Sequence, residues 1–262
     1  MLKGLLLDLD GVLHTGEQVL PGAQATLAWL KAHQIPHLFV TNTSTLSLTG
    51  LSQRLQAMGL AIAAEQVFCA PQAAAHWLRQ QGLTRIWPLV TPDVTAELEG
   101  LTGDEQAPQA LLIGDIGPTW DYALLNRAFA CLQQGARLVA IHKNRSWQTP
   151  QGLMLDIGAF VAALEYAVPC EAVVIGKPNP DFFAAALARL GLPATAVAMV
   201  GDDIFSDIAG AQQSGLTGIL VQTGKYRRQT VASSGIQPDA SLPDIGALPD
   251  WWVSQAGGPP HL

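Results

Sequence analysis

Asp8 and Asp10, with Gly11 behind them, stand at the end of a short apolar run, Leu5-Leu6-Leu7. The run is too short for a helix and is bounded by glycines, so it reads as a buried strand. Two carboxylates delivered to the end of a buried strand are costly unless a metal ion or a catalytic task compensates their charge. Polar groups follow apolar runs at three further places. Thr41-Asn42 come after 37–40, Lys177 after 172–175, and Asp202-Asp203 after 196–200. Each alone has an ordinary explanation: a helix cap, an exposed loop lysine, an Asx turn. All four in order, each behind a strand, are much harder to explain structurally. In a parallel sheet these strand ends share one rim, where open α/β sheets bind their ligands.

The set suits phosphoryl transfer. Magnesium prefers hard oxygen ligands and takes few carboxylates. Asp8 and Asp202 supply the carboxylates, and the Asp10 backbone carbonyl is a third protein ligand. An Asp8 oxygen can attack phosphorus to give an aspartyl-phosphate. Asp10 is placed to protonate the leaving oxygen and then to activate water. The Thr41 hydroxyl and the N–H groups opening a helix predicted over 45–58 can hold phosphoryl oxygens. Lys177 neutralises charge shared by nucleophile and phosphoryl group. Of Asp203 and Asp207, one is expected to orient water or Lys177 and the other to favour the helix N-terminus. The sequence leaves open which does which.

The elements that position these residues alternate regularly. Helices are predicted over 22–33, 45–58 and 72–81 between strands at 37–40 and 67–69. A second α/β stretch follows, with strands at 86–90, 110–113 and 136–141. Its helices are predicted over 92–101, 121–135 and 153–166. The first pattern then resumes with helices over 181–190 and 206–214 and a last strand at 217–221. Asn179 and Pro180 mark one of the helix starts. ALPDWW reads as a short packed helix and GGPPHL as a frayed end. The fold class is therefore α/β, a Rossmann-like parallel-sheet core over 1–79 and 173–262 with an inserted α/β domain over 80–172.

DLDGV, TNTS, GKPNP and GDDIFSD resemble the four motifs of the haloacid dehalogenase (HAD) superfamily of phosphohydrolases. The resemblance covers nearly the whole chain. Asp10 to Thr41 is too short for a domain, so the insertion between Thr41 and Lys177 resembles the C2 type of cap. That is the arrangement of subfamily IIA, the NagD-like and p-nitrophenyl phosphatases. IHKNR and VQTGKYR look most like its phospholysine phosphohistidine inorganic pyrophosphate phosphatase branch. The resemblance implies Asp8 as nucleophile, Asp10 as acid/base, Thr41 and Asn42 as phosphate contacts, Lys177 as the phosphate-orienting lysine, and Asp202 as a Mg2+ ligand. A common form of the second motif has Asn-Asn or Asn-Glu after Thr. Here Asn42-Thr43 stands instead, which bears on substrate contacts. The inserted domain is expected to close over the rim and select the leaving group. A cap-mediated homodimer is the assembly that the resemblance suggests.

Composition bounds the alternatives. The chain has 262 residues, 49% hydrophobic and 13% charged, which implies an extensive core. A net charge of −7 argues against a nucleic-acid or anionic-membrane binder, and no apolar stretch reaches membrane-span length. Cys69, Cys131 and Cys170 show neither a disulfide framework nor a zinc pattern and read as small buried residues in a cytoplasmic protein. A small phosphorylated compound is the expected partner. A dehalogenase needs neither Asp10 nor the carboxylate at 202, and the insertion point argues against the common phosphomutase. The competing class is a catalytically silent metal-binding or regulatory module, against which the intact set of side chains argues. Among weaker signals, His142-Lys143-Asn144-Arg145 either lines a substrate entrance or is a solvated loop. Trp120 and Trp147 either stack on substrate or pack. Lys225-Tyr226-Arg227-Arg228 touches another surface or solvent, and His14 and His76 read as ordinary polar residues.

Overall fold

In the computed structural model, residues 1–149 and 152–255 are described. The chain divides into two compact units. One comprises Met1–Thr41, Leu51–Phe68 and Lys177–Leu262, the other Asn42–Gly50 and Cys69–Gly176.

The first unit is built on a six-stranded sheet in the order Ala240–Leu242, Thr217–Val221, Val197–Gly201, Gly4–Asp8, His37–Thr41, Val67–Cys69. Gly4–Asp8 pairs in parallel with Val197–Gly201 on one side and His37–Thr41 on the other, with Leu7 opposite both Val200 and Phe39. Every residue of the two central strands is buried. That is why they read as unbroken apolar runs instead of alternating ones. Successive strands run outward to one side of Gly4–Asp8, then restart on its other side at Val197–Gly201. The strand order therefore reverses between the strand ending in Asp8 and the strand followed by Asp202, the place where doubly wound sheets open a crevice. The helix Pro180–Leu190 starts as its sequence requires: the Asn179 side chain accepts from Asp181 N–H and Pro180 opens the first turn.

The second unit holds a five-stranded sheet in the order Val173–Val174, Arg137–Ala140, Ala110–Ile113, Arg85–Leu89, Thr102–Gly103, all parallel. Leu111, Ile113, Leu138, Val161 and Leu164 form its core. Trp120 stacks on Phe160 at 4.5 Å between ring centroids, so its face is taken by packing within the unit. Among the described residues no helix is long and apolar enough to cross a membrane.

Several predicted boundaries move. Asn42–Gly50 already belong to the second unit, and its long segment begins at Cys69, not at residue 80, because the helix Ala70–Gln80 packs within that unit. There the Arg137 guanidinium lies 5.1 Å over the Trp77 ring and Arg79 donates to the Glu99 carbonyl. The second division falls at Lys177 instead of 173. The helix predicted over 92–101 is a 3-10 turn, Pro92–Glu97. The helix predicted over 153–166 begins only at Gly158, because 152–155 pair antiparallel with 146–149 in a hairpin. The edge strand Ala240–Leu242 lies beyond the strand at 217–221, the last that the sequence pattern marks. Trp147 lies in that hairpin with its side chain outside the described residues, as is the whole GGPPHL end. Cys69 and Cys131 are buried, but Cys170 is exposed.

Candidate active site

Asp8, Asp202 and Asp207, all buried, each bring a carboxylate oxygen to within 4.8 Å of the others. Asp8 is the last residue of its strand, and Asp202 directly follows Gly201, the last residue of the neighbouring strand. Asp207 comes from a π-helical turn, Ile204–Ala209, where the predicted α-helix over 206–214 is confined to Gly210–Gln213. The wider turn carries Asp207 back beneath the strand end: a Cβ on Gly201 would sit 2.2 Å from Asp207 Cβ.

Lys177 joins these carboxylates. Its ammonium, only 5% exposed as a residue, lies 2.8 Å from Asp8 Oδ1 and 2.8 Å from Asp207 Oδ1. Burial would lower the lysine's pKa, but the Asp207 and Asp8 charges outweigh it and raise the pKa above its ordinary value. Asp207 Oδ2 accepts the Asp203 N–H at 3.1 Å, so both of its oxygens are engaged. Asp203 itself points the other way. Its Oδ1 accepts the N–H groups of Phe205 and Ser206 and so caps the turn. Burial would raise its pKa, but Lys225 and those two N–H groups hold it below the usual range.

Asp202 is held differently. Its Oδ2 accepts the Lys225 backbone N–H at 2.6 Å, while its Oδ1 is buried without a hydrogen-bond partner. Burial first, then the charges of Asp8 and Asp207, push its pKa up to about 8. Burial, with Asp8 adding to it, raises Asp207 to about 6 against the opposing pull of Lys177. Lys225 is raised as well: burial would lower it, but Asp203, Asp202, Asp8 and Asp207 prevail.

Two glycines enclose Asp202. A Cβ on Gly11 would lie 1.9 Å from Asp202 Oδ2, and one on Gly224 would lie 2.0 Å from the same atom. Both have left-handed backbones, with φ of +80° and +56°. Gly11→Ala is expected to destabilise the protein by about 1–2 kcal/mol from the backbone alone. It should also displace Asp202, so calorimetric Mg2+ affinity should fall by more than that stability loss explains.

The Asp10 carboxylate is not part of the buried cluster. It is exposed, and its Oδ1 lies 3.6 Å from Nδ1 of the buried His14, which also lies 3.1 Å from the Gly16 carbonyl oxygen. His14 is thus beside a predicted catalytic group. The i, i+4 spacing of Asp10 and His14 around Gly11 is the available sign. Thr41 is buried at the end of its strand. Asn42 falls in the second unit, where a Cβ on Gly176 would lie 2.6 Å from its side-chain oxygen.

The helix predicted over 45–58 begins at Leu48, and its first N–H groups are not open to an anion. Ser47 N–H donates to Asp93 Oδ2 at 2.5 Å and Leu48 N–H to Glu97 Oε1 at 2.8 Å. Of 142–145, His142 is buried with Nε2 3.9 Å from Asp156 Oδ1, and Lys143 pairs with Glu165 at 2.6 Å.

A family model described as haloacid dehalogenase-like hydrolase matches residues 5–102, and a second, HAD-hydrolase-like, matches 174–248. The chain is 33% identical over 261 residues to the human phospholysine phosphohistidine inorganic pyrophosphate phosphatase, covering 97% of this chain and 96% of that protein. The chain belongs to the haloacid dehalogenase-like hydrolase family. It is also 40% identical over 228 residues to haloacid dehalogenase-like hydrolase domain-containing protein 2 of Bos taurus, covering 86% of each. Among solved structures it is similar to a 4-nitrophenylphosphatase from Thermotoga maritima. That match has a TM-score of 0.89 at 28% identity and covers 95% of this chain and 97% of that one. These likenesses place the hydrolase in subfamily IIA and its fold with the Rossmann-like HAD enzymes.

Proposed function

We propose that this HAD hydrolase is a magnesium-dependent phosphatase. It would act on small phosphorylated metabolites or pyrophosphate through an aspartyl-phosphate on Asp8. One observation carries the reading: Lys177 bridges Asp8 and Asp207 while Asp202 presents a buried oxygen with no hydrogen-bond partner. The names of relatives that are phosphatases support the same reading.

The donors fit a hard divalent cation. They are carboxylate oxygens, three within 4.8 Å, and one of them, Asp202 Oδ1, is buried with no hydrogen-bond partner. Asp8, Asp202 and the Asp10 carbonyl would hold the ion. When bound, it neutralises the clustered carboxylates and the phosphoryl oxygens.

The remaining work falls to the chain. Lys177 fixes Asp8 Oδ1 and leaves the second oxygen to attack phosphorus. As the bond to the leaving group breaks, Asp10 gives that oxygen its proton, and an acyl phosphate remains on Asp8. Asp10 then takes a proton from water, which attacks the same phosphorus and frees the Asp8 carboxylate. Asp10 suits this double task because its carboxylate reaches solvent and is steadied by His14. Asp207 holds Lys177 in place, and the Thr41 hydroxyl would contact the phosphoryl oxygens.

The test is phosphate release across phosphorylated metabolites, pyrophosphate and p-nitrophenyl phosphate, with Mg2+ and with EDTA; release that persists in EDTA would contradict it. Thermal melts add a second readout. Asp202 keeps a proton to about pH 8 when folded, whereas an unfolded Asp loses it near pH 4. The folded state therefore binds more protons between those limits, and metal-free stability falls as pH rises through them. EDTA is expected to lower Tm more at pH 8 than at pH 6, at about 2–4 °C per kcal/mol.

A further inference from the structure

The basic segment Lys225-Tyr226-Arg227-Arg228 has no part in the chemistry above, yet it is fastened to the loops that carry it. Thr223 Oγ1 donates to the Gly11 carbonyl at 2.5 Å. A Cβ on Gly224 would lie 2.5 Å from Gly11 Cα, so the two backbones touch. Lys225 N–H then donates to Asp202 Oδ2 at 2.6 Å. The backbone position of Lys225 is thereby fixed relative to both Asp8–Gly11 and Asp202.

Its side chain is not consumed by that role. The ammonium lies 3.5 Å from Asp203 Oδ2, at the long end of a contact, and the side chain is 64% exposed. An ammonium has three donors, and this one keeps donors directed to solvent. Lys177 is the opposite case: its side chain is 3% exposed and held by Asp8 and Asp207. Lys177 serves the phosphoryl group being transferred and has no reach beyond it. Among the described residues, Lys225 is the other lysine or arginine paired with a carboxylate of this rim. Arg227 is turned back onto its own loop, bonding the Gly224 and Tyr226 carbonyls. It opens a cleft of about 580 Å³ that it shares with Arg228, Gln229, Thr230 and Ser233, which extends the basic surface outward.

The rim otherwise presents five aspartates, 8, 10, 202, 203 and 207, on a chain of net charge −7. A substrate carrying a second negative group next to its scissile phosphate meets repulsion there unless a cation faces it. We infer that Lys225 is a specificity-determining residue that binds a second anionic group, phosphate or carboxylate, on the leaving side of the substrate. The site would then favour phosphoanhydrides and phosphomonoesters with an anionic leaving group over those with a neutral one. The inference rests on the phosphatase reading of this site.

The experiment compares wild type, Lys225→Gln and Lys225→Arg on pyrophosphate, phosphoglycolate and p-nitrophenyl phosphate. Both substitutions keep the backbone N–H that holds Asp202. Lys225→Gln is expected to lower kcat/KM about tenfold more for the substrates with a second anionic group than for p-nitrophenyl phosphate, the value of one charged hydrogen bond. Most of that loss should be in KM, and Lys225→Arg should recover part of it. A loss on pyrophosphate alone identifies the second group as phosphate, and a loss on both anionic substrates includes carboxylate. Equal losses on all three substrates would overturn the inference and leave Lys225 with a structural role. Calorimetric binding to Asp8→Asn separates this from failure of the phosphatase reading. There, adding Lys225→Gln should weaken pyrophosphate more than orthophosphate, and equal weakening overturns the inference whatever the turnover. If the wild type releases no phosphate from any of the three substrates, the phosphatase reading fails instead.

Discussion

Asp8→Asn is expected to lower phosphate release at least about a thousandfold, because the nucleophile is lost while its shape is kept. The amide oxygen can still accept from Lys177, which stays paired with Asp207 through the 2.8 Å contact. The substitution also removes one of the charges that raise the pKa of Asp202. The folded metal-free protein should therefore hold its Tm or gain a little, at pH 8 more than at pH 6. Activity and stability then move apart, which a merely disruptive change does not produce. Phosphate release and thermal melts in EDTA, on the same preparation, check both halves. Substantial residual activity at an unchanged Tm would exclude Asp8 as the nucleophile.

Lys177→Met should move both quantities down together. Lys177, Asp8 and Asp207 are all buried, and the lysine is their shared cation. Removing it leaves the Asp8 and Asp207 carboxylates facing each other with no buried cation between them. Breaking a buried ion pair from one side costs about 3–5 kcal/mol, which at about 2–4 °C per kcal/mol is a fall in Tm on the order of 10 °C. The loss should be smaller at low pH, where Asp207 takes up a proton. Lys177→Met combined with Asp207→Asn should recover part of it, which a double-mutant cycle measures. Lys177→Arg should not substitute, because a planar guanidinium cannot replace a point charge between two separate carboxylates. A destabilisation below about 1 kcal/mol, the range of an exposed pair, would mean that Lys177 is not held as described.

The sheet and the four polar strand ends were legible because buried parallel strands leave long apolar runs, and Leu5–Leu7 and 196–200 stop abruptly at charged residues. Helix starts with local caps, such as Asn179-Pro180, were also plain. What stayed hidden depends on partners distant in sequence or on backbone atoms. The start of the helix at Leu48 is set by Asp93 and Glu97, 46 and 49 residues away from the N–H groups they accept. Asp203 and Asp207 look alike in sequence. A π-helical turn distinguishes them by sending one to Lys177 and the other to the turn's own N–H groups. The Lys225 N–H on Asp202 has no signature, since every residue but proline carries that donor. The antiparallel pairing of 146–149 with 152–155 stayed hidden because the second of these strands runs straight into the apolar pattern of the following helix.

The most direct measurement is acid quench of the wild-type enzyme during turnover with Mg2+, followed by peptide mapping of the bound phosphoryl group. The account predicts an acid-stable, base-labile acyl phosphate on Asp8 that forms and decays fast enough to carry turnover. It should be absent when Asp8→Asn is treated in the same way. Turnover with no phosphoryl group on Asp8 at any time, or with the group on another residue, would contradict it.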